Sequence, residues 1–153
     1  MLRNRSMPAC TVIPELVYED VGEAVAWLCE TFGFVVRWRA GSHRAQLALG
    51  DGAIVVAEQR RGTGWSDKLD SAEFRPPRAG EVSHSVLVRV EDADAHHLQA
   101  RRLGAQILHP PTDYPYGERQ YEAEDLAGHR WTFSQSIADV SPEDWGGTSQ
   151  STE

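Results

Sequence analysis

The sequence predicts an α+β protein built from two tandem βαβββ modules. Two observations predict it. A strand-helix-strand-strand-strand order occurs twice along the chain, and marker residues recur at matching places in both copies. Gly33 matches Gly104 at an offset of 71, while Gly52 and Gln59 match Gly128 and Gln135 at an offset of 76. Repetition of a whole element order is the signature of an internal duplication.

Residues 11–18 (TVIPELVY) are rich in β-formers, with Pro14 marking an edge or irregular position. Asp20 followed by Glu23 resembles a capping box. Val21, Ala24, Val25, Leu28 and Phe32 then form an apolar stripe at helical spacing, and Gly33 is placed to end the helix. Strands follow at 34–39, 43–49 and 53–59, the last two joined by a tight turn at Gly50, Asp51 and Gly52. Residues 60–80 carry glycine, proline and charge without a period and read as a long connection with one helical turn. The pattern restarts with a strand at 82–90. A helix capped by Glu91 or Asp92 runs to Leu103, with a weaker stripe of Ala93, Ala100 and Leu103. His96 and His97 on that helix read as solvated. A short strand at 105–108 and two more at 118–125 and 129–135 complete the copy. The organisation is an N-terminal extension (1–10) that reads as frayed, modules at 11–59 and 81–135, and a tail (136–153) whose last six residues read as disordered.

Composition narrows the function classes. A chain of 153 residues suits one domain or two small fused modules. A net charge of -8 disfavours nucleic acid and anionic membrane surfaces as partners, and agrees with a cationic ligand. No stretch approaches the roughly 20 apolar residues that span a bilayer, and the first residues lack the apolar core of a signal peptide. Cys10 and Cys29 give neither a disulfide framework nor a zinc spacing, so reduced thiols in a cytoplasmic protein are expected.

The segment PYGERQYEAEDLAGHRW (115–131) resembles the strand-turn-strand pattern P-[WY]-G-x-R-x-[FY]-x-x-x-D-P-x-G-[NH]-x-W of the vicinal-oxygen-chelate superfamily, in its glyoxalase-like subgroup. Leu126 stands where the pattern has proline. Tyr18, Glu19 and Asp20, then Ala26, Trp27 and Leu28, then Phe32, Gly33 and Phe34 are similar to the family's opening module, and the resemblance spans residues 11–135. The superfamily includes glyoxalase I, extradiol dioxygenases, fosfomycin-resistance enzymes and bleomycin-resistance proteins. The resemblance implies a cup-shaped mixed β-sheet with helices outside and a site in the cup, often completed across a homodimer.

It also implies where a metal would sit. Metal-dependent relatives take one ligand from the first strand and one from the last strand of each module. Those positions align here with Ile13, Val56, His84 and Thr132, the pairs that the repeat offsets also select. Only His84 is a good ligand; Ile13 and Val56 offer hydrocarbon, and Thr132 is a poor neutral donor. Glu58, two residues beyond Val56, could join His84 near the rim, which still leaves the set short. No metal or other cofactor is therefore expected.

Other residues are candidates for ligand contact. His84 reads either as a hydrogen-bonded histidine lining cup or core, or as a ligand donor or general base. Arg119 could hold a carboxylate, or pair with Glu118, Glu122 or Glu124. Tyr121 and Trp38 could form aromatic walls, whereas Trp131 is expected to pack under a helix. Trp65 and Phe74 suit a lid or a dimer contact. His129 reads as structural. The resulting expectation leans away from catalysis. It is a homodimeric cytoplasmic protein that holds a small organic molecule, cationic or aromatic, with Glu58, His84, Arg119, Tyr121, Thr132 and Trp38 as contacts. The alternatives are a metal-dependent lyase, isomerase or dioxygenase acting on vicinal oxygens, and a metal-free enzyme with His84 as base.

Overall fold

The computed structural model describes residues 2–61 and 72–151. The fold is α+β, with two mixed four-stranded sheets and one helix to each. The chain divides into two compact units. The first holds residues up to Ser83 together with the distant turn Asp125–His129; the second holds His84–Glu124 and Arg130 onward.

In the first unit β1 (Glu15–Tyr18) is followed by α1 (Val21–Phe32), β2 (Val35–Ala40), β3 (Arg44–Leu49) and β4 (Gly52–Glu58). The strand order is β1-β4-β3-β2. Only β1 and β4 are parallel, as a helical crossover requires. The expected cap is present: Asp20 Oδ1 accepts from the Glu23 N–H at 2.9 Å. Gly33 ends α1 with φ 88° and donates its N–H to Cys29 O at 3.2 Å, a conformation open to glycine at little steric cost. Val21, Ala24, Val25, Leu28 and Phe32 are all buried, as their spacing predicts. Beneath them lie Leu16, Ala45, Leu47, Ile54 and Val56, each at most 3% exposed. Burying one such aliphatic side chain contributes about 1.5–3 kcal/mol.

The stretch after β4 contains two short paired strands, β5 (Arg60–Arg61) and β6 (Glu73–Phe74). Phe74 lies under the Arg60 guanidinium at 4.4 Å. Trp65 falls outside the described residues. The N-terminal extension is held rather than frayed at residues 5–7: Trp38 Nε1 donates to Ser6 O at 2.9 Å, and Arg37 reaches the Arg5 and Met7 carbonyls.

The second unit runs β7 (Ser85–Arg89), α2 (Ala93–Arg102), β8 (Gln106–Tyr114), β9 (Glu118–Glu124), β10 (Arg130–Ser136), then a 3-10 turn at Pro142–Trp145. The order β7-β10-β9-β8 repeats that of the first unit, with β7 and β10 parallel. Asp92 rather than Glu91 caps α2, through Oδ1 to the Ala95 N–H at 2.9 Å. Gln135 Oε1 takes the Ala93 N–H.

Two expectations are corrected here. His96 and His97 are half-buried and engaged rather than simply solvated. His96 Nδ1 lies 2.6 Å from the Tyr121 hydroxyl, its ring is 4.3 Å from that of Phe133, and His97 meets the edge of Tyr121 at 5.2 Å. The two imidazoles dock a helix whose buried aliphatic residues are only Ala93 and Ala100. Strand β8 is also far longer than 105–108. It continues through Pro110 and Pro111, which is possible because β8 is an edge strand and the register slips around Ile107, His109 and Thr112.

The turn Asp125–His129 is latched to β1. Tyr18 donates its hydroxyl to Asp125 Oδ2 at 2.6 Å. Asp125 Oδ1 accepts the N–H groups of Ala127 and His129. His129 Nε2 lies 2.7 Å from Val17 O, which bears out its structural reading. Burial, then the Asp125 charge, hold the Tyr18 phenol well above its ordinary range, so it stays a donor. The C-terminal tail is closed in a similar way: Glu143 accepts from the Ser141 hydroxyl at 2.6 Å and the Ser149 N–H at 2.7 Å.

Two outcomes follow. Tyr18→Phe should lower unfolding free energy by about 1–3 kcal/mol in urea titration, the cost of leaving a buried acceptor without its donor; an unchanged midpoint would show that the turn is not held there. The Glu143 carboxyl is lowered to about 2 by its bonds from Ser141 and Ser149. Its folded value is depressed, so its stabilisation is present above the ordinary value of 4.5 and is lost as pH falls toward 2. Trp145 emission should therefore change between those pH values before the sheets unfold, and Glu143→Gln should abolish that transition.

Candidate functional site

Successive strand residues point to opposite faces, so the register decides which side chains a helix covers and which it leaves open. In the second unit α2 contacts Tyr121 and Phe133 directly, and Trp131 and Ala123 share their face as cross-strand partners. Trp131 is 1% exposed and stacks on Phe133, under the helix as expected. In the first unit the covered face carries Leu16, Val56 and Ala45, which are mutual cross-strand partners.

This geometry redistributes the predicted site residues. Val56 and Glu58 lie on the α1 side of β4. Ile13 precedes β1 and alternates with Glu15 and Val17, whose β4 partners are Val55 and Ala57, the opposite face. His84 precedes β7 and alternates with Val86 and Val88, the partners of Trp131 and Phe133 on the α2 side. Arg119 and Tyr121 are also on the α2 side. Arg119 is committed to Asp113 at 2.6 Å and Asp94 at 2.8 Å, not to the glutamates considered from sequence. Those two carboxylates hold its guanidinium above the usual arginine range. Thr132 and Trp38 are the two predicted contacts on helix-free faces.

The slip has a physical cause. The caps Asp20 and Asp92 are 72 apart, but the closing glycines Gly33 and Gly104 are 71 apart, because α1 is the longer helix. Gly52 opens β4, whereas Gly128 lies inside the five-residue turn ahead of β10. One residue of offset exchanges the faces of a strand. In the structural register Leu16 and Val56 pair as Val88 and Phe133 do. The open-face equivalents of the family ligand positions are then Ile13, Val55, Ser85 and Thr132. Two hydrocarbons and two hydroxyls do not fit a divalent cation. Among the described residues no group of three or more His, Cys, Asp or Glu could hold a metal ion.

On the helix-free face of the second unit a polar chain crosses three elements. The Tyr116 hydroxyl donates to Gln120 Oε1 at 2.9 Å, Gln120 Nε2 donates to Ser134 Oγ at 3.0 Å, and Ser134 donates to Glu118 Oε1 at 3.0 Å. Tyr116 stacks on Tyr114 at 5.4 Å with 7° between planes, and meets Trp145 edge-on at 5.5 Å. Burial first, then Tyr114 and the charges of Glu118 and Glu122, raise the Tyr116 phenol, so the ring remains a neutral donor beside two carboxylates. Gly117 builds the corner. With φ 80° its carbonyl accepts from Ile137 and Ala138, and a β-carbon there would strike the Ala138 carbonyl. Leu87, 63% exposed on β7, and Thr132 lie on the same face. In the sequence Tyr116 falls within the family motif, Tyr114 just ahead of it and Trp145 in the tail, and none of the three stands out as a contact residue. The aromatic triad could not be read because its third member comes from beyond the repeat.

On the helix-free face of the first unit, Glu15, Val55, Gln46 and Trp38 form one row across β1, β4, β3 and β2. Burial raises the Glu15 carboxyl, but the Arg44 bond and the charges of Arg44 and Arg60 outweigh it and leave the group below its ordinary value. A separate cavity of about 590 Å³ lies beside the Asp20 cap, where Glu19 and Glu23 face Arg75 and Arg78.

Comparison with known proteins agrees with this architecture. The profile of the Glyoxalase/Bleomycin resistance protein/Dioxygenase superfamily matches residues 11–133. The crystal structure of TioX from Micromonospora sp. ML1 is 33% identical, aligns over 84% of this chain and 100% of its own, and superposes with a TM-score of 0.65. Lactoylglutathione lyase from Agrobacterium tumefaciens is 16% identical, with 85% and 96% coverage and a TM-score of 0.60. A mutant of the fosfomycin resistance protein FosX from Listeria monocytogenes, solved with Mn(II) and 1S,2S-dihydroxypropylphosphonic acid, is 14% identical, with 88% and 93% coverage and a TM-score of 0.59. The last two likenesses concern the fold alone. No curated protein matches significantly. Spanning most of its length, the profile match shows that this chain belongs to the glyoxalase/bleomycin-resistance/dioxygenase superfamily.

Proposed function

We propose that the protein binds a small aromatic cation on the helix-free face of its C-terminal sheet, without a metal. The observation that carries this reading is the aromatic triad Tyr114, Tyr116 and Trp145 beside Glu118 and Glu122. An aromatic face attracts a cation by its quadrupole, and adjacent carboxylates add charge. The chain's net charge of -8 favours the same ligand class. The helix-free positions Ile13 and Val55 support a metal-free mode, since neither can donate to an ion. Binding rather than catalysis is the function proposed, because the one candidate base, His84, sits ahead of β7 in the α2-side alternation and apart from the triad. The reading extends to a cytoplasmic homodimer, for which exposed Leu87 and Leu98 supply apolar surface.

N-methylquinolinium is a suitable probe. Calorimetry should show binding that weakens with salt, falls by about 0.5–2 kcal/mol in Trp145→Ala, and loses part of its salt dependence in Glu122→Gln. Equal affinity in wild type and Trp145→Ala would remove the reading. Addition of Ni²⁺, Zn²⁺, Mn²⁺ or Fe²⁺ should leave the melting temperature unchanged, and stoichiometric binding of any of them with a raised melting temperature would overturn the metal-free mode.

A further inference from the structure

The cavity of about 590 Å³ beside the first turn of α1 is lined entirely by residues of the first unit. Its volume falls within the range of roughly 300–1,000 Å³ typical of small-molecule sites. The lining carries both signs of charge. Glu19 and Glu23 come from the entry to α1, and Arg75 and Arg78 flank Pro76 and Pro77. Consecutive prolines fix φ near about −65° and favour extended backbone with about three residues per turn, so residues three apart share a side. That spacing accounts for both arginines lining one cavity. Among the described residues no ion pair crosses it, and the side chains of Glu19, Glu23 and Arg78 take part in no hydrogen bond or salt bridge. Arg75 is held loosely, with Glu73 and Glu81 each at 3.9 Å. The remaining polar groups are committed: the Tyr18 hydroxyl is given to Asp125, and Asp20 Oδ1 caps the Glu23 N–H.

We propose that this cavity binds a small zwitterion, an amino carboxylic acid with an aliphatic body, whose ammonium meets Glu19 and Glu23 and whose carboxylate meets Arg78. Opposite charges that share a cavity without pairing leave a gap that a ligand bearing both charges fills. A guanidinium offers a planar fork that matches a carboxylate, and an ammonium offers three donors to two glutamates. A ligand with one charge alone meets the opposing wall as a like charge, which selects against it. The acidic wall is no metal site, since among the described residues no group of three or more His, Cys, Asp or Glu could hold an ion. Pro76, Pro77, Leu126 and Ala127 supply the apolar part of the lining, where a short hydrocarbon body would lie. The proposal does not rest on the aromatic site of the other unit.

The test uses the full chain, with 6-aminohexanoate as probe and with hexylamine and hexanoate, each carrying one of its two charges, as controls. In ¹⁵N spectra 6-aminohexanoate should shift the backbone amides of Glu23, Gln59 and Ala127 in a saturable way, and either control should bind roughly tenfold more weakly. Arg78→Gln should weaken 6-aminohexanoate by roughly tenfold and leave hexylamine almost unchanged. Glu23→Gln should weaken 6-aminohexanoate and hexylamine but not hexanoate. Both replaced side chains are exposed and unpaired, so both variants should melt within about 2 °C of wild type. Equal affinity for 6-aminohexanoate and hexylamine would overturn the proposal, as would wild-type affinity in Arg78→Gln or amide signals that ignore the probe.

Discussion

A single helix can cover only one face of a four-stranded sheet, and that constraint organises this chain. Each βαβββ unit spends its apolar residues beneath its helix: Leu16, Leu47 and Val56 under α1, Tyr121, Trp131 and Phe133 under α2. What remains for the other face is chemically mixed and differs between the units. The first carries a buried amide, an indole and a closed ion-pair cluster. The second carries carboxylates, a hydroxyl chain and three aromatic rings. The halves share one architecture while their open faces carry different side chains, as Gln46 of β3 and its counterpart Glu122 of β9 illustrate.

Much of the fold was legible because its signals are local. Asp20, the stripe from Val21 to Phe32 and Gly33 each act within a few residues of themselves, and each does in the structure what its spacing predicts. The tight turn at Gly50, Asp51 and Gly52 is equally self-contained. The site was less legible, because its residues are selected by register, and register depends on helix and turn lengths far from the residues concerned. One extra position in α1 and the longer Asp125–His129 turn were enough to make the repeat offsets select Val56 and His84, both on the helix side, in place of Val55 and Ser85. His96 shows the complementary failure. Polar residues on a weak stripe read as solvated, but an imidazole can pack on Phe133 and bond Tyr121 at once, so a polar residue carries the docking that leucines would otherwise supply.

The likeness to metal-dependent members of the superfamily is a likeness of scaffold. The positions equivalent to the family's ligands carry Ile13 and Val55 in the first unit and Ser85 and Thr132 in the second. On the function proposed above, recognition would be carried by stacking and by carboxylate charge. Neither needs an ion; Tyr114, Glu118 and Glu122 sit on strands, Tyr116 beside the corner that Gly117 builds and Trp145 on the 3-10 turn of the tail.

The two prolines of β8 bear on how copies of the chain can meet. Pro110 and Pro111 occupy an edge strand of the second sheet, where two successive residues lack a backbone donor, and the register shifts around His109 interrupt the strand further. A strand from a neighbouring molecule finds no continuous ladder to join. The sheet is thereby protected from runaway edge-to-edge polymerisation at this border.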